Sequence, residues 1–134
     1  MIRTGYTSRI SDEPVSIHRD SNGKVDGILV QTFDQAFVLS LKDGEELNWD
    51  DAMAKYKDVM LTKQQWLIVA AYEEKINELL EQVGGDTIRD KCYWSAVGCY
   101  SYYAWYYSGN GGTLYNRYKY SSLTVRPALA YSVS

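Results

Sequence analysis

The sequence has little of what metal and acid–base chemistry requires. Its 134 residues include one histidine, His18, and two cysteines, Cys92 and Cys99. The cysteines form neither a CxxC pair nor a zinc-ligand pattern, so we expect no metal and no cofactor. A histidine-dependent catalytic site would have to use His18, which lies beside Asn22-Gly23 in a predicted hairpin and is interpreted as a surface residue. We therefore expect a protein that is not an enzyme.

Long apolar segments are also missing. The longest uninterrupted apolar run, residues 66–72, has seven residues, whereas a membrane-spanning helix needs about 20. No apolar h-region follows Met1, so no signal peptide and no membrane insertion are predicted. Cys92 and Cys99 could pair, but a chain without an export signal is expected to keep them reduced. The net charge of −3 argues against a partner made of duplex nucleic acid.

Negative charge is absent from the last third of the chain. Residues 1–92 carry 11 basic and 17 acidic side chains, whereas residues 93–134 carry no Asp or Glu and only Arg117, Lys119 and Arg126. Ten of the 13 tyrosines lie between residues 93 and 131. No linker separates the two parts, which favours one domain with a specialised surface.

The first third reads as strands. Asn22-Gly23 is a hairpin-turn signal between residues 15–17 and the apolar run 28–30, and a further apolar segment follows at 36–39. Short strands separated by glycine turns return after Asp90, with a turn at 109–112. These later strands are predicted at 93–97, 102–107, 113–120 and 123–131, the last with Pro127 at an edge or bulge.

Two helices are predicted between these groups of strands. Asn48 is a candidate N-cap for the first. Thr62 and Gln65 form a capping box for the second, which should continue to Gly84. Strands, two helices and more strands in this order indicate an α+β domain.

Residues 98–122 have the composition of a binding loop. Eight of these 25 residues are Tyr, four Ser, four Gly and two Asn. Tyrosine provides a large contact area with few rotatable bonds, whereas Ser, Gly and Asn provide adaptable hydrogen bonds and turns. The alternative is a tyrosine-rich sheet that packs in a core, with Tyr103 or Tyr107 beside Trp105 as the best candidates. Eight buried hydroxyls would each need a partner, so most of these rings should be exposed.

Several motifs, in their order along the chain, resemble the C-type-lectin-fold variable proteins of diversity-generating retroelements, whose best-known members are phage tropism determinants. The resemblance covers about residues 25–131. The motifs that carry it are Trp49-Asp50-Asp51-Ala52, Leu61-Thr62-Lys63-Gln64-Gln65-Trp66, Tyr93-Trp94-Ser95, Ala104-Trp105-Tyr106 and Val125-Arg126-Pro127-Ala128.

The resemblance implies a C-type lectin fold, with two helices packed on small antiparallel sheets. Residues 25–134 would form the lectin-like domain, with a diversified segment at about 94–127, and residues 1–24 an N-terminal strand or hairpin extension. In this family a reverse transcriptase rewrites codons at template adenines, often in AAY codons. Within residues 98–122 only Trp105 and Lys119 lie outside the set of residues that AAY codons can reach.

The family's variable zone, which binds diverse ligands on one exposed face, matches twelve positions. They are Tyr100, Tyr102, Tyr103, Tyr106, Ser108, Asn110, Gly112, Tyr115, Asn116, Tyr118, Tyr120 and Ser121. The family's structural positions match Trp49, Trp66, Trp94, Trp105, Arg126 and Pro127. Calcium-dependent sugar binding is not expected, because the ligand motifs of true lectins are absent and the last third lacks carboxylates.

The expected function is therefore binding of an unknown surface ligand, either a protein or a glycan, by a phage tail protein or a bacterial cell-surface adhesion component. One alternative is a structural or adhesion subunit with a fixed tyrosine-rich face. Another is a single-stranded nucleic-acid binder, because Tyr115, Arg117, Tyr118, Lys119 and Tyr120 interleave aromatic rings with cations. A further alternative is a passive structural subunit, in which the first 25 residues swap or add strands to neighbours and form a homo-oligomer. The resemblance to phage proteins makes a trimer one such form.

Overall fold

The fold is mixed α+β, as the order of the segments predicts. The structure, a computed structural model, describes residues 13–131. This range contains three α-helices and nine strands, and the strands form one sheet of four and one of five. Residues 1–12 of the predicted N-terminal extension lie outside the described residues. None of the helices in the described range is long and apolar enough to cross a membrane.

The four-stranded sheet contains the strands predicted in the first third. β1 (Val15–Arg19), β2 (Val25–Gln31) and β3 (Ala36–Ser40) are neighbours in sequence order, and β9 (Ala128–Ala130) pairs with β3. All of these pairings are antiparallel. The hairpin between β1 and β2 is confirmed, with Gly23 at a φ of 83° that favours glycine.

The five-stranded sheet holds the tyrosine-rich segment. In spatial order its strands are β4 (Glu46–Leu47), β8 (Leu123–Thr124), β5 (Cys92–Cys99), β6 (Tyr103–Ser108) and β7 (Thr113–Tyr118). The strands β5, β6 and β7 form an antiparallel meander, and β8 pairs with β5 in parallel. The meander therefore ends at an edge strand, β7.

Two helix starts are confirmed. The helix α1 (Trp49–Tyr56) begins after Asn48, whose side chain accepts a hydrogen bond from the Asp51 N–H at 2.8 Å. The helix α2 (Lys63–Ala71) begins with the predicted capping box between Thr62 and Gln65. In each cap, side-chain oxygens accept hydrogen bonds from backbone N–H groups that have no partner within the helix.

The prediction of one continuous helix from Thr62 to Gly84 is wrong, and residues 13–131 contain three α-helices where the sequence predicted two. The backbone leaves helical geometry at Tyr72, with φ −121° and ψ 18°, and a third helix, α3 (Glu73–Val83), begins at once. Glu73, the first residue of α3, accepts a hydrogen bond from the Tyr107 hydroxyl. Gly84 ends α3 in the left-handed conformation, as predicted.

The prediction of one strand at residues 123–131 is also wrong. The segment divides into β8 and β9, which belong to different sheets. Arg126, buried between the two strands, donates hydrogen bonds to surrounding backbone carbonyls, and Pro127 has no N–H for a sheet ladder.

Two hydrophobic cores lie on opposite faces of the five-stranded sheet. The larger core packs the four-stranded sheet, α2 and α3 against residues that include Tyr93 and Tyr107. The smaller core packs α1 against Trp94, Ala104 and Val125. Because both faces of β5 and β6 are covered, the free surface of this sheet lies toward β7 and the loops at the strand ends.

Candidate functional site

The β6–β7 hairpin presents its tyrosines on two opposite faces. Tyr103 lies opposite Tyr118, Tyr106 opposite Tyr115, and Tyr107 opposite Leu114. Since side chains alternate along a strand, one face, here called the α2 face, carries residues of both strands that point toward α2. Its members are Tyr103, Trp105, Tyr107, Leu114, Asn116 and Tyr118. The other face, called the α1 face, carries Ala104, Tyr106, Ser108, Thr113, Tyr115 and Arg117.

One end of the α2 face is part of the scaffold. Tyr107 stacks on Trp66 with ring centroids 4.5 Å apart, and Trp66 stacks on Tyr93 at 5.4 Å. All three rings are fully buried. We call them the buried stack. The Tyr107 hydroxyl donates a hydrogen bond to the Glu73 carboxylate.

Burial changes the acid–base behaviour of this stack. Burial raises the pKa of Tyr93 well above its ordinary value. Burial also raises the pKa of Tyr107, and the hydrogen bond to Glu73 raises it further. The pKa of Glu73 is itself raised by burial, against the opposing effect of the Tyr107 hydroxyl. Both tyrosines therefore remain neutral and structural at physiological pH.

The other end of the α2 face is exposed. Tyr103 stacks on Tyr118 with centroids 4.7 Å apart, and Tyr118 stacks on Tyr120 at 5.1 Å. We call these three rings the exposed stack, because Tyr118 and Tyr120 keep 46% and 74% of their surface in contact with solvent. The pKa of Tyr103 is raised, chiefly by its polar contact with the Tyr118 hydroxyl.

Two more tyrosines extend this exposed end. Tyr100 and Tyr102 lie in the turn between β5 and β6 and are 89% and 72% exposed. The Lys119 N–H donates to the Tyr102 carbonyl at 2.9 Å, which ties this turn to the end of β7. The same edge of the sheet therefore carries Tyr100, Tyr102 and the exposed stack. These five residues are called the tyrosine end.

A cleft of about 480 Å³ lies beside the tyrosine end. Tyr102 and Tyr120 form part of its wall, and the Trp49 N–H, which donates to the Lys119 carbonyl at 2.7 Å, fixes α1 next to it. Sequence reasoning missed the other lining residues because a contact between the start of α1 and the end of β7 leaves no local signal. These residues are Asn48, Asp50, Asp51, Ser101 and Lys119.

Lysines cover both half-buried tryptophans of the predicted scaffold. The Lys119 Nζ lies 4.7 Å from the Trp49 ring centroid, and the Lys63 Nζ lies 3.8 Å from that of Trp105. The Trp49 indole N–H donates to the Ser95 carbonyl at 2.9 Å.

The other two tryptophans, Trp66 and Trp94, are fully buried. The Trp94 indole N–H donates to the Leu47 carbonyl at 2.8 Å. Trp49, Trp66 and Trp94 thus contact one of the two cores.

Arg126 connects separate parts of the scaffold from a buried position. Its guanidinium donates to the Asp43 carboxylate at 2.9 Å and to the carbonyls of Ser40, Leu41 and Asp86 at 3.0, 3.2 and 2.6 Å. The carbonyl of the half-buried Pro127 accepts a hydrogen bond from the Ser40 N–H at 2.9 Å. These contacts fix the crossover from β8 to β9.

The remaining candidates from the sequence lie away from the tyrosine end. Tyr106 and Tyr115 are 5.8 Å apart on the α1 face, and Tyr115 is 51% exposed. Ser108, Asn110 and Gly112 lie at the far end of the hairpin, about 17 Å along β6 from Tyr103.

Two candidates lie closer to the tyrosine end. Asn116 is exposed on β7, and the N–H of the half-buried Ser121 donates to the Tyr118 carbonyl at 3.0 Å. The twelve positions therefore occupy two faces and two ends of one hairpin.

The glycine turn at residues 109–112 packs on the scaffold. A Cβ on Gly109 would lie 1.7 Å from the Ile88 carbonyl oxygen, so no larger residue fits there. Gly112 has a φ of 66°, and its Cβ would meet the Tyr107 hydroxyl at 3.3 Å. These contacts hold the turn against the core residues Ile88 and Tyr107.

The residues that bear other chemistry are dispersed. The His18 Nδ1 lies 2.6 Å from the Asp26 carboxylate, in the four-stranded sheet. Cys92 and Cys99 are both free, on β5. Between residues 13 and 131, no three His, Cys, Asp or Glu side chains are close enough to hold a metal ion.

No protein-family model matches this chain, and no curated protein matches it significantly.

Proposed function

We propose that the chain is a ligand-binding protein that uses the tyrosine end as its contact surface. The observation that carries the proposal is the grouping of five tyrosines at one edge, of which Tyr100, Tyr102, Tyr118 and Tyr120 are exposed. Large exposed aromatic patches are costly unless they meet a partner, and tyrosine is enriched among residues that dominate binding energy. The adjoining cleft adds carboxylates and amides for polar contacts.

We further propose that the scaffold is a C-type lectin fold and that a retroelement diversifies this surface. Trp105 and Lys119 are the two residues in 98–122 that AAY codons cannot reach, and both take part in cation–π contacts with residues outside that segment. Tyr100, Tyr102 and Tyr120, which are reachable, are the most exposed aromatic residues of this segment. This division between fixed contacts and variable surface is what diversification of a stable scaffold requires.

The proposal makes the protein a phage tail or bacterial cell-surface adhesion component rather than an enzyme. The alternative is a fixed tyrosine-rich face with one cognate ligand. Both agree with the same geometry, so the gene and not the protein distinguishes them.

Binding of single-stranded nucleic acid has less support. Arg117 lies on the α1 face, opposite the exposed stack, and Lys119 rests on the Trp49 ring. A stacking platform needs cations along the same groove as its rings. Binding that weakens steeply with added salt would favour this alternative.

Sequencing of the gene with its flanks tests diversification. The proposal predicts a nearby second copy of the codons for about residues 94–127, with adenines at the codon positions that vary, and a reverse-transcriptase gene. A single copy with no such gene would leave a fixed binding face.

Arrays of immobilised glycans and bacterial surface proteins test the position of the binding surface. The full chain should bind a subset of the array, and the variant Tyr100→Ala/Tyr102→Ala/Tyr120→Ala should lose that binding. The control, Leu129→Ala, changes a residue that is 60% exposed on the other sheet and should bind as the wild type does. Equal binding by the triple variant would contradict the proposal.

A further inference from the structure

The strand β7 presents unpaired backbone groups at the edge of the five-stranded sheet. The Lys119 N–H donates to the Tyr102 carbonyl, one step beyond the Tyr103–Tyr118 pair of the β6–β7 register. In an antiparallel ladder, residues that bond to the neighbouring strand alternate with residues whose N–H and C=O point away. The N–H and C=O groups of Leu114, Asn116 and Tyr118 therefore point outward. The Tyr118 carbonyl already accepts one hydrogen bond, from the Ser121 N–H at 3.0 Å, and has a second lone pair free.

The other sheet edges in the described residues differ from β7. The strand β4 has two residues and β9 has three, and β1 has five with a register shift between His18 and Arg19. In contrast, β7 has six residues, no register shift and no proline, and five of its six residues are exposed. Proteins normally protect a long regular edge by shortening it, bulging it or covering it.

We propose that β7 pairs antiparallel with β7 of a second copy of this chain, about a two-fold axis at Asn116. Asn116 then lies opposite Asn116 of the second copy, and Leu114 lies opposite Tyr118 of the second copy. The two-fold generates a third pair, and each pair of residues exchanges two backbone hydrogen bonds. Six bonds join the two five-stranded sheets into one of ten strands. Two of them reach Tyr118 carbonyls that also accept from the Ser121 N–H.

The side chains are complementary in this register. On the α2 face, Leu114 meets a tyrosine and the two Asn116 amides meet each other. On the α1 face, Arg117 lies opposite Tyr115 of the second copy, where a cation can contact an aromatic ring. No like charges face each other, so the edge is self-complementary and the second copy is the occupant that it fits.

Neighbouring registers are worse. A shift that places Asn116 opposite Tyr118 of the second copy also places Arg117 opposite Arg117, and like charges in that position are destabilising. A shift that places Leu114 opposite Asn116 keeps only two outward pairs within the strand. The register centred on Asn116 keeps three.

The inference does not rest on the proposed function, because it concerns the β7 backbone and not a ligand. It places the two tyrosine ends at opposite ends of the joined strands. Tyr100, Tyr102 and Tyr120 take no part in the pairing. The dimer would therefore present two separate tyrosine ends. Bivalent binding by this dimer, unlike the pairing itself, rests on the proposed function.

Sedimentation of the full chain over a concentration series tests the pairing. The wild type should sediment with the mass of two chains, and Asn116→Pro should sediment as a monomer. The proline removes an outward N–H that β6 does not use, so the circular dichroism spectrum should not change. The control, Asn116→Ala, keeps this N–H and should remain a dimer. A wild-type chain that is monomeric at every concentration, or an Asn116→Pro variant that stays dimeric, would overturn the proposal.

Disulfide cross-linking tests the register without depending on the proline variant. In a background carrying Cys92→Ala and Cys99→Ala, Asn116→Cys should form a covalent dimer rapidly, since opposite Cα atoms lie about 5.5 Å apart. Arg117→Cys is the matched control, because its diagonal counterpart lies about 7–8 Å away, beyond easy reach of a disulfide. Cross-linking at equal rates, or cross-linking of neither variant, would refute the two-fold at Asn116.

Discussion

The two aromatic stacks on one face of the β6–β7 hairpin are both built on tyrosine rings but differ in burial and in what packs over them. The buried stack contains Tyr107 of β6, and the exposed stack contains Tyr103 of the same strand, four residues earlier. The helices α2 and α3 cover Tyr107, with Trp66 against its ring and Glu73 at its hydroxyl. Tyr103 instead stacks on Tyr118, which is 46% exposed.

The difference shows that the role of a tyrosine depends on what packs over it. A buried tyrosine hydroxyl usually needs a partner to offset its lost hydration, and Glu73 is that partner for Tyr107. The buried Tyr93 hydroxyl has no hydrogen-bond partner among the described residues, so that ring is held by packing alone. An exposed tyrosine contributes little to folding and stays available for a ligand. One residue type therefore supports the scaffold at one end of the hairpin and forms a contact surface at the other.

The largest expected effect separates the two stacks by stability. Tyr107→Ala should lower the free energy of unfolding by about 3–5 kcal/mol, the usual cost of truncating a buried aromatic ring. Tyr120→Ala should change it by no more than about 0.5 kcal/mol, as is usual for exposed sites. Urea denaturation of both variants measures the difference. Equal costs would show that the exposed stack is also part of the core.

A second comparison uses two arginines of the last third. Arg126→Met leaves Asp43 without its buried partner and should cost about 3 kcal/mol, because a nearly buried carboxylate loses part of its compensation. Arg117→Met, on the exposed edge strand, should cost no more than about 0.5 kcal/mol. Thermal unfolding of the two variants at equal chain concentration tests this, and a small effect at Arg126 would contradict its structural role.

Alkaline pH should destabilise the protein through the buried stack. The pKa values of Tyr93 and Tyr107 are raised in the folded state, so the unfolded chain loses these protons first as the pH rises above about 10.

The contribution of the two tyrosines to the free energy of unfolding is therefore full below pH 10. It falls above pH 10, by about 1.4 kcal/mol per pH unit for each tyrosine. Urea denaturation across this range measures the slope. Tyr107→Phe should halve the slope of the free energy of unfolding against pH, because one of the two buried tyrosines no longer titrates. An unchanged slope would show that Tyr107 does not cause the alkaline loss of stability.

The smallest effect concerns Glu73. Because the folded state raises its pKa, the ionised carboxylate destabilises the fold at neutral pH, and this cost disappears as the pH falls below the ordinary value of 4.5. Glu73→Gln, which keeps an oxygen for the Tyr107 hydroxyl, should be more stable than the wild type at pH 7 by less than about 1 kcal/mol. The extra stability of Glu73→Gln should shrink toward pH 4. Extra stability that grows in acid would mean that the fold lowers the pKa of Glu73 instead of raising it.

Local signals in the sequence predicted much of the fold. The Asn48 cap, the capping box of Thr62 and Gln65, and the helix stop at Gly84 each depend on residues within a few positions, so the sequence contains them fully. The α+β class follows from the same segments. The break at Tyr72 was missed because helical spacing of apolar residues continues across it.

The candidate site was only partly predictable. The alternation of side chains along a strand is enough to place Tyr118 and Tyr115 on opposite faces of β7, but only the folded structure shows which face meets α2. The roles of Tyr103 and Tyr107 differ only through Trp66, which lies some 40 residues earlier in the chain. Asp50 and Asp51 lie in the first turn of α1, and their place in the cleft depends on the long-range bond from the Trp49 N–H to the Lys119 carbonyl.

Deep sequencing of the codons for residues 94–127 across a natural population tests the central claim most directly. If the tyrosine end is a diversified contact surface on a fixed scaffold, then the codons of Tyr100, Tyr102, Tyr118 and Tyr120 vary at adenine-templated positions. The codons of Trp105, Tyr107 and Gly109 would then stay constant. Variation that is equally frequent at Tyr107 and Tyr120, or no variation at either, would contradict the claim.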